Sequence, residues 1–157
     1  MSTFLFTEAK FCLKYETASA GNAGSANGHE VEVEVSFADS TKTFVLDAPK
    51  VKGVSEEICY YTTPHEPLMT VKIQQTKTDD AWLIKSLQFP KLVGSPFYTS
   101  YAMKSSNEMF WTDGNSDCDN DDNRNLGLSC CKDNEKCTLE PVTGGNINKK
   151  LCYMYPL

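Results

Sequence analysis

The sequence predicts an all-β protein, an antiparallel β-sandwich carrying a disulfide-stapled C-terminal extension. Three observations predict it. Apolar and polar residues alternate with a period of two along several short runs. Those runs are separated by clusters of Gly, Pro, Asn and Asp, as strands joined by turns are. No window of about a dozen residues carries a capped helical period. At 157 residues the chain makes about one domain and can bury a real core. Its 40% hydrophobic and 23% charged content is that of a globular protein, not of a disordered one.

The elements follow in order. Phe11, Leu13 and Tyr15 alternate with Lys10, Cys12, Lys14 and Glu16, which predicts a first strand. The clearest run sets Val31, Val33, Val35 and Phe37 against Glu30, Glu32, Glu34 and Ser36. One face of that strand belongs in a core and the other in water, as in a half-solvated antiparallel sheet. A helix would spread the same valines and glutamates around every side. Residues 43–46 and 58–62 are β-rich, Met69, Val71 and Ile73 alternate with Thr70, Lys72 and Gln74, and residues 82–89 form a further run. Turn compositions lie between them at 20–28, 38–40, 47–49, 64–67 and 78–80. No internal repeat is present, which excludes solenoids and propellers.

From about Thr112 the texture changes: Asp, Asn, Gly and Cys take over. Residues 1–111 are therefore expected to form the sandwich, and residues 112–157 a Cys/Asp-rich extension packed on the same domain. The run Leu151-Cys152-Tyr153-Met154-Tyr155 is apolar again and is expected to return as an edge strand.

The seven cysteines are Cys12, Cys59, Cys118, Cys130, Cys131, Cys137 and Cys152, with five in the last forty residues. Such density reads as a disulfide framework, which persists in an oxidising compartment. The competing reading is a zinc cluster, whose knuckles favour cysteines two to four residues apart. Here the close pairs are adjacent or separated by five residues. Cys130 and Cys131 are neighbours and are expected to bridge to different partners. An odd count leaves one thiol free or pairing between chains. Residues 1–12 lack a basic start and a long apolar stretch, so they are not an intact secretory signal. Together with the cysteines, this predicts an extracellular protein whose leader has been removed. No apolar run approaches the ~20 residues of a transmembrane helix. The net charge of -6 argues against a nucleic-acid partner, which would need a basic footprint.

Residues 10–89 resemble the PLAT family, the β-sandwich of lipoxygenases, polycystins and pancreatic lipase. The resemblance rests on three pieces. Phe11-Cys12-Leu13-Lys14-Tyr15-Glu16-Thr17, the small-residue loop 20–26 and the alternating strand 31–37 look like the family's first strand, glycine-rich loop and second strand. Leu68-Met69-Thr70-Val71-Lys72-Ile73 resembles the strand before the family's tryptophan. Trp82-Leu83-Ile84-Lys85-Ser86-Leu87-Gln88-Phe89 resembles the strand that carries it. Gln74-Gln75-Thr76-Lys77-Thr78 stands where the family has Gly-His-Asp-Asn, and the cysteine-rich tail has no counterpart. The resemblance implies a β-sandwich with interfacial roles, end loops that in some relatives bind calcium, and a membrane-facing tryptophan at the position of Trp82.

Two clusters are candidates for binding. Asp113, Asp117, Asp119, Asp121 and Asp122 gather hard oxygen ligands suited to calcium, although not in EF-hand order. Mutual repulsion between these carboxylates favours a counter-charge; the alternative is a solvated acidic loop. Phe97, Tyr98 and Trp111, with Trp82, are either core or an exposed apolar surface that touches lipid or a protein. Catalytic motifs are absent: the two histidines, His29 and His65, sit in turn compositions, and there is no nucleophile elbow, H-E-x-x-H, P-loop or dinucleotide fingerprint. The expectation is a secreted, non-catalytic module that binds a protein partner or a lipid interface, with calcium as a possible cofactor. The alternatives are a structural protein self-assembling through the odd cysteine or sheet edges, and a small venom or defence protein.

Overall fold

The computed structural model describes residues 9–19, 23–25, 30–47, 50–62, 67–77, 80–115 and 128–143. The described residues contain ten strands and no helix. In chain order these are β1 (Ala9–Thr17), β2 (Glu30–Ser36), β3 (Thr41–Leu46), β4 (Ser55–Thr62), β5 (Thr70–Lys77), β6 (Trp82–Pro90), β7 (Tyr98–Ala102), β8 (Phe110–Thr112), β9 (Cys130–Cys131) and β10 (Cys137–Pro141). The all-β antiparallel sandwich expected from the sequence is what the chain forms.

Hydrogen bonding runs in the order β3-β2-β5-β10-β7-β6-β1-β4, with β8 and β9 branching from β6. The path folds into two layers, β3-β2-β5-β10 and β7-β6-β1-β4, whose inner faces meet. All pairings are antiparallel except that of β8 with β9. Alternation decides which side of each strand is inside. In β2, Val31, Val33 and Val35 are buried while Glu30, Glu32, Glu34 and Ser36 are half-buried. In β1, Phe11, Leu13 and Tyr15 face the core, and opposite them on β4 stand Tyr60, Ile58 and Glu56.

Aromatic rings join the layers. Phe11 lies 5.2 Å edge-on from Phe37 and 6.2 Å from both Phe44 and Phe89, and Phe44 in the first layer reaches Tyr60 and Phe89 in the second at 5.5 and 6.5 Å. Edge-on and tilted rings bring positive edges to negative faces, which adds to the burial of their large apolar area. Outside the main core, Leu83 and Trp111 pack with Ala18 and Ala23, covering the outer side of β6.

Beyond residue 112 the chain contributes more than an appendix. Strand β10 lies inside the sheet path: Cys137, Thr138 and Leu139 pair with β5, then Glu140 and Pro141 pair with β7. One short strand thus closes the side of the sandwich by changing layers, and Leu139 enters the core. The expected edge strand at 151–155 lies outside the described residues.

Cys12 bonds to Cys59 directly across β1 and β4, and Cys131 bonds to Cys137, closing the turn into β10. Cys130 is disulfide-bonded as well, so all five described cysteines are oxidised. Cys118 and Cys152 lie outside the described residues. The turn between Cys131 and Cys137 holds Asp133 and Asn134 at φ values of 58° and 60°, a left-handed pair that short polar side chains tolerate. If disulfides act mainly by restricting the unfolded chain, the bridge with the larger separation stabilises more. The separations are 47 and 6 residues. Replacing both Cys12 and Cys59 with Ala should cost ~4 kcal/mol, and replacing both Cys131 and Cys137 ~2 kcal/mol. Urea unfolding of the two double variants checks the order.

Candidate functional site

The sandwich has two ends, and they differ in chemistry. At one end the β6–β7 connection, residues 91–97, meets the chain entering β5. Pro67 bridges to Leu92, the Leu68 amide donates to the Lys91 carbonyl at 3.0 Å, and the Met69 amide donates to the Ser36 carbonyl at 2.8 Å. A turn closed by the Ser95 amide on the Leu92 carbonyl (2.9 Å) places Gly94 at φ 86°, where a side chain would be strained. This turn sends Val93 into the core and Phe97 outward. Phe97 is 77% exposed, Met69 60% and Leu92 43%. Lys10, Lys42 and Lys91 are exposed around the same end, with Asp39 the described acid in the β2–β3 turn.

Tyr98 begins β7 opposite Pro90 and is half-buried, with the Lys14 ammonium 3.9 Å from its ring centre. The expected surface roles of Trp82 and Trp111 need correction, because both rings are fully buried. Trp82 faces inward between Tyr15, 5.4 Å away edge-on, and Lys50, and its indole N–H donates to the Thr17 hydroxyl at 2.9 Å. Trp111 is held beside Leu83 by the β6–β8 pairing. The alternating strand buried what the resemblance placed at a membrane.

The β3–β4 end is polar inside. Lys50 is 2% exposed; its ammonium donates to the Leu46 carbonyl at 2.7 Å and lies 5.4 Å from the Trp82 ring centre. Its backbone exchanges two hydrogen bonds with Ser25, at 2.8 and 3.1 Å. That approach requires Gly24, where a Cβ would fall 2.4 Å from the Lys50 carbonyl oxygen. Desolvation holds the Lys50 ammonium down to about 8, against the upward pull of Glu56, Asp47 and Glu30. The Tyr15 hydroxyl donates to the Glu56 carboxylate, and burial together with that carboxylate pushes its ionisation well above the usual tyrosine range. Nothing in the sequence marks Lys50, since lysine is ordinarily a surface residue.

Asp113, which opens the acidic run, is 1% exposed. Its carboxylate accepts from the Asn115 amide at 3.2 Å, and its own amide donates to the Cys131 carbonyl at 2.9 Å. Asp117, Asp119, Asp121 and Asp122 lie outside the described residues, as do His29 and His65. Among the described residues one group has metal-ligand spacing, Cys12, Cys59 and Glu57, but its two sulfurs are joined to each other.

No family model and no curated protein matches the chain. Solved structures do match. A LOX carrying the delta413-417:GS change is similar with a TM-score of 0.48 and 13% identity, over 60% of this chain and 14% of that one. The same LOX in complex with arachidonate gives 0.47 and 13%, over 59% and 14%. The Alpha Toxin from Clostridium Absonum gives 0.44 and 12%, over 60% and 30%. This chain thus spans less than a third of the length of the proteins it is similar to.

Lys50 sets a test of the polar end. Its ionisation is lowered on folding, so between about pH 8 and the ordinary lysine value of 10.5 the unfolded chain binds the extra proton. Stability contributed by this residue therefore rises with pH across that window and is lost below it. Denaturation of the native protein and of Lys50→Met from pH 7.5 to about 9.5 should show this rise in the native protein alone.

Proposed function

We propose that the protein is a secreted, non-catalytic module that docks on a lipid surface through the β6–β7 end of its sandwich. The observation that carries this reading is Phe97, a large aromatic side chain held out in water by a turn whose neighbouring Val93 is buried. Leaving a phenylalanine exposed forgoes about 1.5–3 kcal/mol that burial would return. Met69 and Leu92 stand at the same end, so one approach buries all three. Among the described residues at this end Lys10, Lys42 and Lys91 outnumber Asp39, which suits anionic headgroups. The described disulfides accord with an extracellular setting, and the resemblance to PLAT domains accords with an interfacial role. A protein partner with an apolar pocket is the competing occupant of the same end.

Flotation with vesicles of phosphatidylcholine and phosphatidylserine tests the reading. The native protein should float and Phe97→Ser should bind at least about tenfold more weakly. Val51→Ser, at the opposite end, should float as the native protein does. No association of the native protein with these vesicles, or equal flotation of Phe97→Ser, would overturn lipid docking.

Calcium belongs to this reading as a ligand of Asp113 and the acidic run that follows it. A hard cation there would offset the mutual repulsion of the carboxylates clustered in sequence along the run. Millimolar calcium should raise the melting temperature of the native protein by a few degrees and leave that of Asp113→Asn in place; a thermal shift shared by both proteins would count against the site.

A further inference from the structure

The two sides of the sandwich are built differently. One is closed, because β10 pairs with β5 in one layer and with β7 in the other. The other is open: β3 and β4 end the hydrogen-bonded path, and among the described residues neither has a second neighbour. We propose that a second copy of this chain closes the open side, each β3 pairing with the partner's β4.

Both edges are regular enough to accept another strand. β4 pairs with β1 in unbroken register over eight residues, and β3 with β2 over six. Neither contains a proline or a bulge, two common devices that keep outer strands apart. Inward-pointing charge is a third such device, and here it is engaged within the chain. The Lys42 ammonium lies 4.9 Å from the Tyr60 ring centre, and Glu56 accepts from the Tyr15 hydroxyl. Glu57, which points outward, pairs with Lys14 at 4.0 Å.

The core is unfinished along this side. Ile58 and Tyr60 face inward yet are only half-buried, whereas the inward residues of β1 and β2 are buried. On the outward faces Val45 and Tyr61 are exposed. A strand beside each edge would take these four side chains further out of water, which favours closure.

Symmetry selects a copy of the chain over an unrelated peptide. Phe44 in the middle of β3 meets Tyr60 near the end of β4. The chain leaving β3 carries Lys50 to Trp82, which packs on Tyr15, and Tyr15 stands opposite Glu56 at the start of β4. β3 and β4 therefore run in opposite directions, one above the other. A two-fold axis parallel to the strands then sets each β3 antiparallel to the partner's β4, in both layers at once. Such an interface is isologous and stops at two copies. An extended peptide could cover one edge only. Six residues in each of two ladders give about twelve backbone hydrogen bonds, within the range of a standard protein interface. Charge favours this pairing over like with like. β4 carries Glu56 and Glu57 and no base, while β3 carries Lys42 and no acid. Setting β4 against β4 would join two acidic strands.

The test is sedimentation velocity of the whole chain from about 1 to about 200 μM. The native protein should pass from monomer to dimer across this range and go no further, and the dimer should come apart in SDS without reductant. Val45→Lys combined with Tyr61→Lys puts a charge on each edge at exposed positions, and should raise the dissociation constant at least about tenfold. Phe97→Ser should dimerise as the native protein does, which separates this surface from the lipid-docking end. Hydrogen exchange of the native protein should slow with concentration at amides of β3 and β4, and not at those of β7 or β10. A monomer throughout, assembly beyond two copies, or a dimer that only reductant dissolves would overturn the proposal. So would undiminished association of the double variant, its loss in Phe97→Ser, or protection confined to other strands.

Discussion

The register of β1 is the constraint on which the rest depends. Its inward residues, Phe11, Leu13 and Tyr15, seat the rings and aliphatics that join the two layers. Its outward residues, Cys12, Lys14 and Glu16, supply a disulfide half and the middle of the polar face. Because side chains alternate with a period of two, a slip by one residue would exchange the sets. Phe11 would face water, and Cys12 would lose Cys59. Core, cross-link and surface are therefore one decision, fixed by pairing with β4 on one side and β6 on the other.

Where burial repeats along the chain, the fold was legible in advance. The valines of β2 and the alternation in β1 and β5 state their own inside and outside, and β6 is apolar enough to announce a strand buried at both ends. β10 was not legible. Its five residues lie in a polar, cysteine-rich region, and only pairing with two strands from different layers makes them central. That partnership is a long-range fact which no local window contains. Phe97 was visible as a candidate, but its separation from buried Val93 depends on a turn geometry that composition does not specify. The tryptophans show the converse. A family resemblance put Trp82 at a surface, while the strand's own alternation and the Thr17 hydroxyl draw it inside.

Lys50 and the polar groove that Lys14, Glu16, Glu57 and Gln88 line on the outer face of β4, β1 and β6 share a reason for having been missed. Both are made by juxtaposition: Lys50 by a loop that folds over Leu46 and Trp82, the groove by three strands distant in sequence. Neither residue type nor spacing changes when such groups meet. Their surroundings also differ in kind. Lys50 sits where water is excluded and its charge is costly, whereas Lys14 and Glu57 on the outer face are paired and wet. The apolar end is a third environment, so one small sandwich presents three distinct chemistries without any of them interrupting the core.

The Cys12–Cys59 bond has a mechanical consequence. Strand β4 ends the hydrogen-bonded path, and an outermost strand is the first to peel when a chain is pulled from the side. Hydrogen bonds in such a zipper break one at a time. Here tension applied at Ser55 or at Thr62 opens the seam only as far as Cys59, after which the load passes through a covalent link into β1. Since β1 is also paired with β6, the force is then shared by many bonds at once. A module tethered to a larger protein or to a moving surface would in this way keep its outer strand attached under traction that its hydrogen bonds alone would not resist.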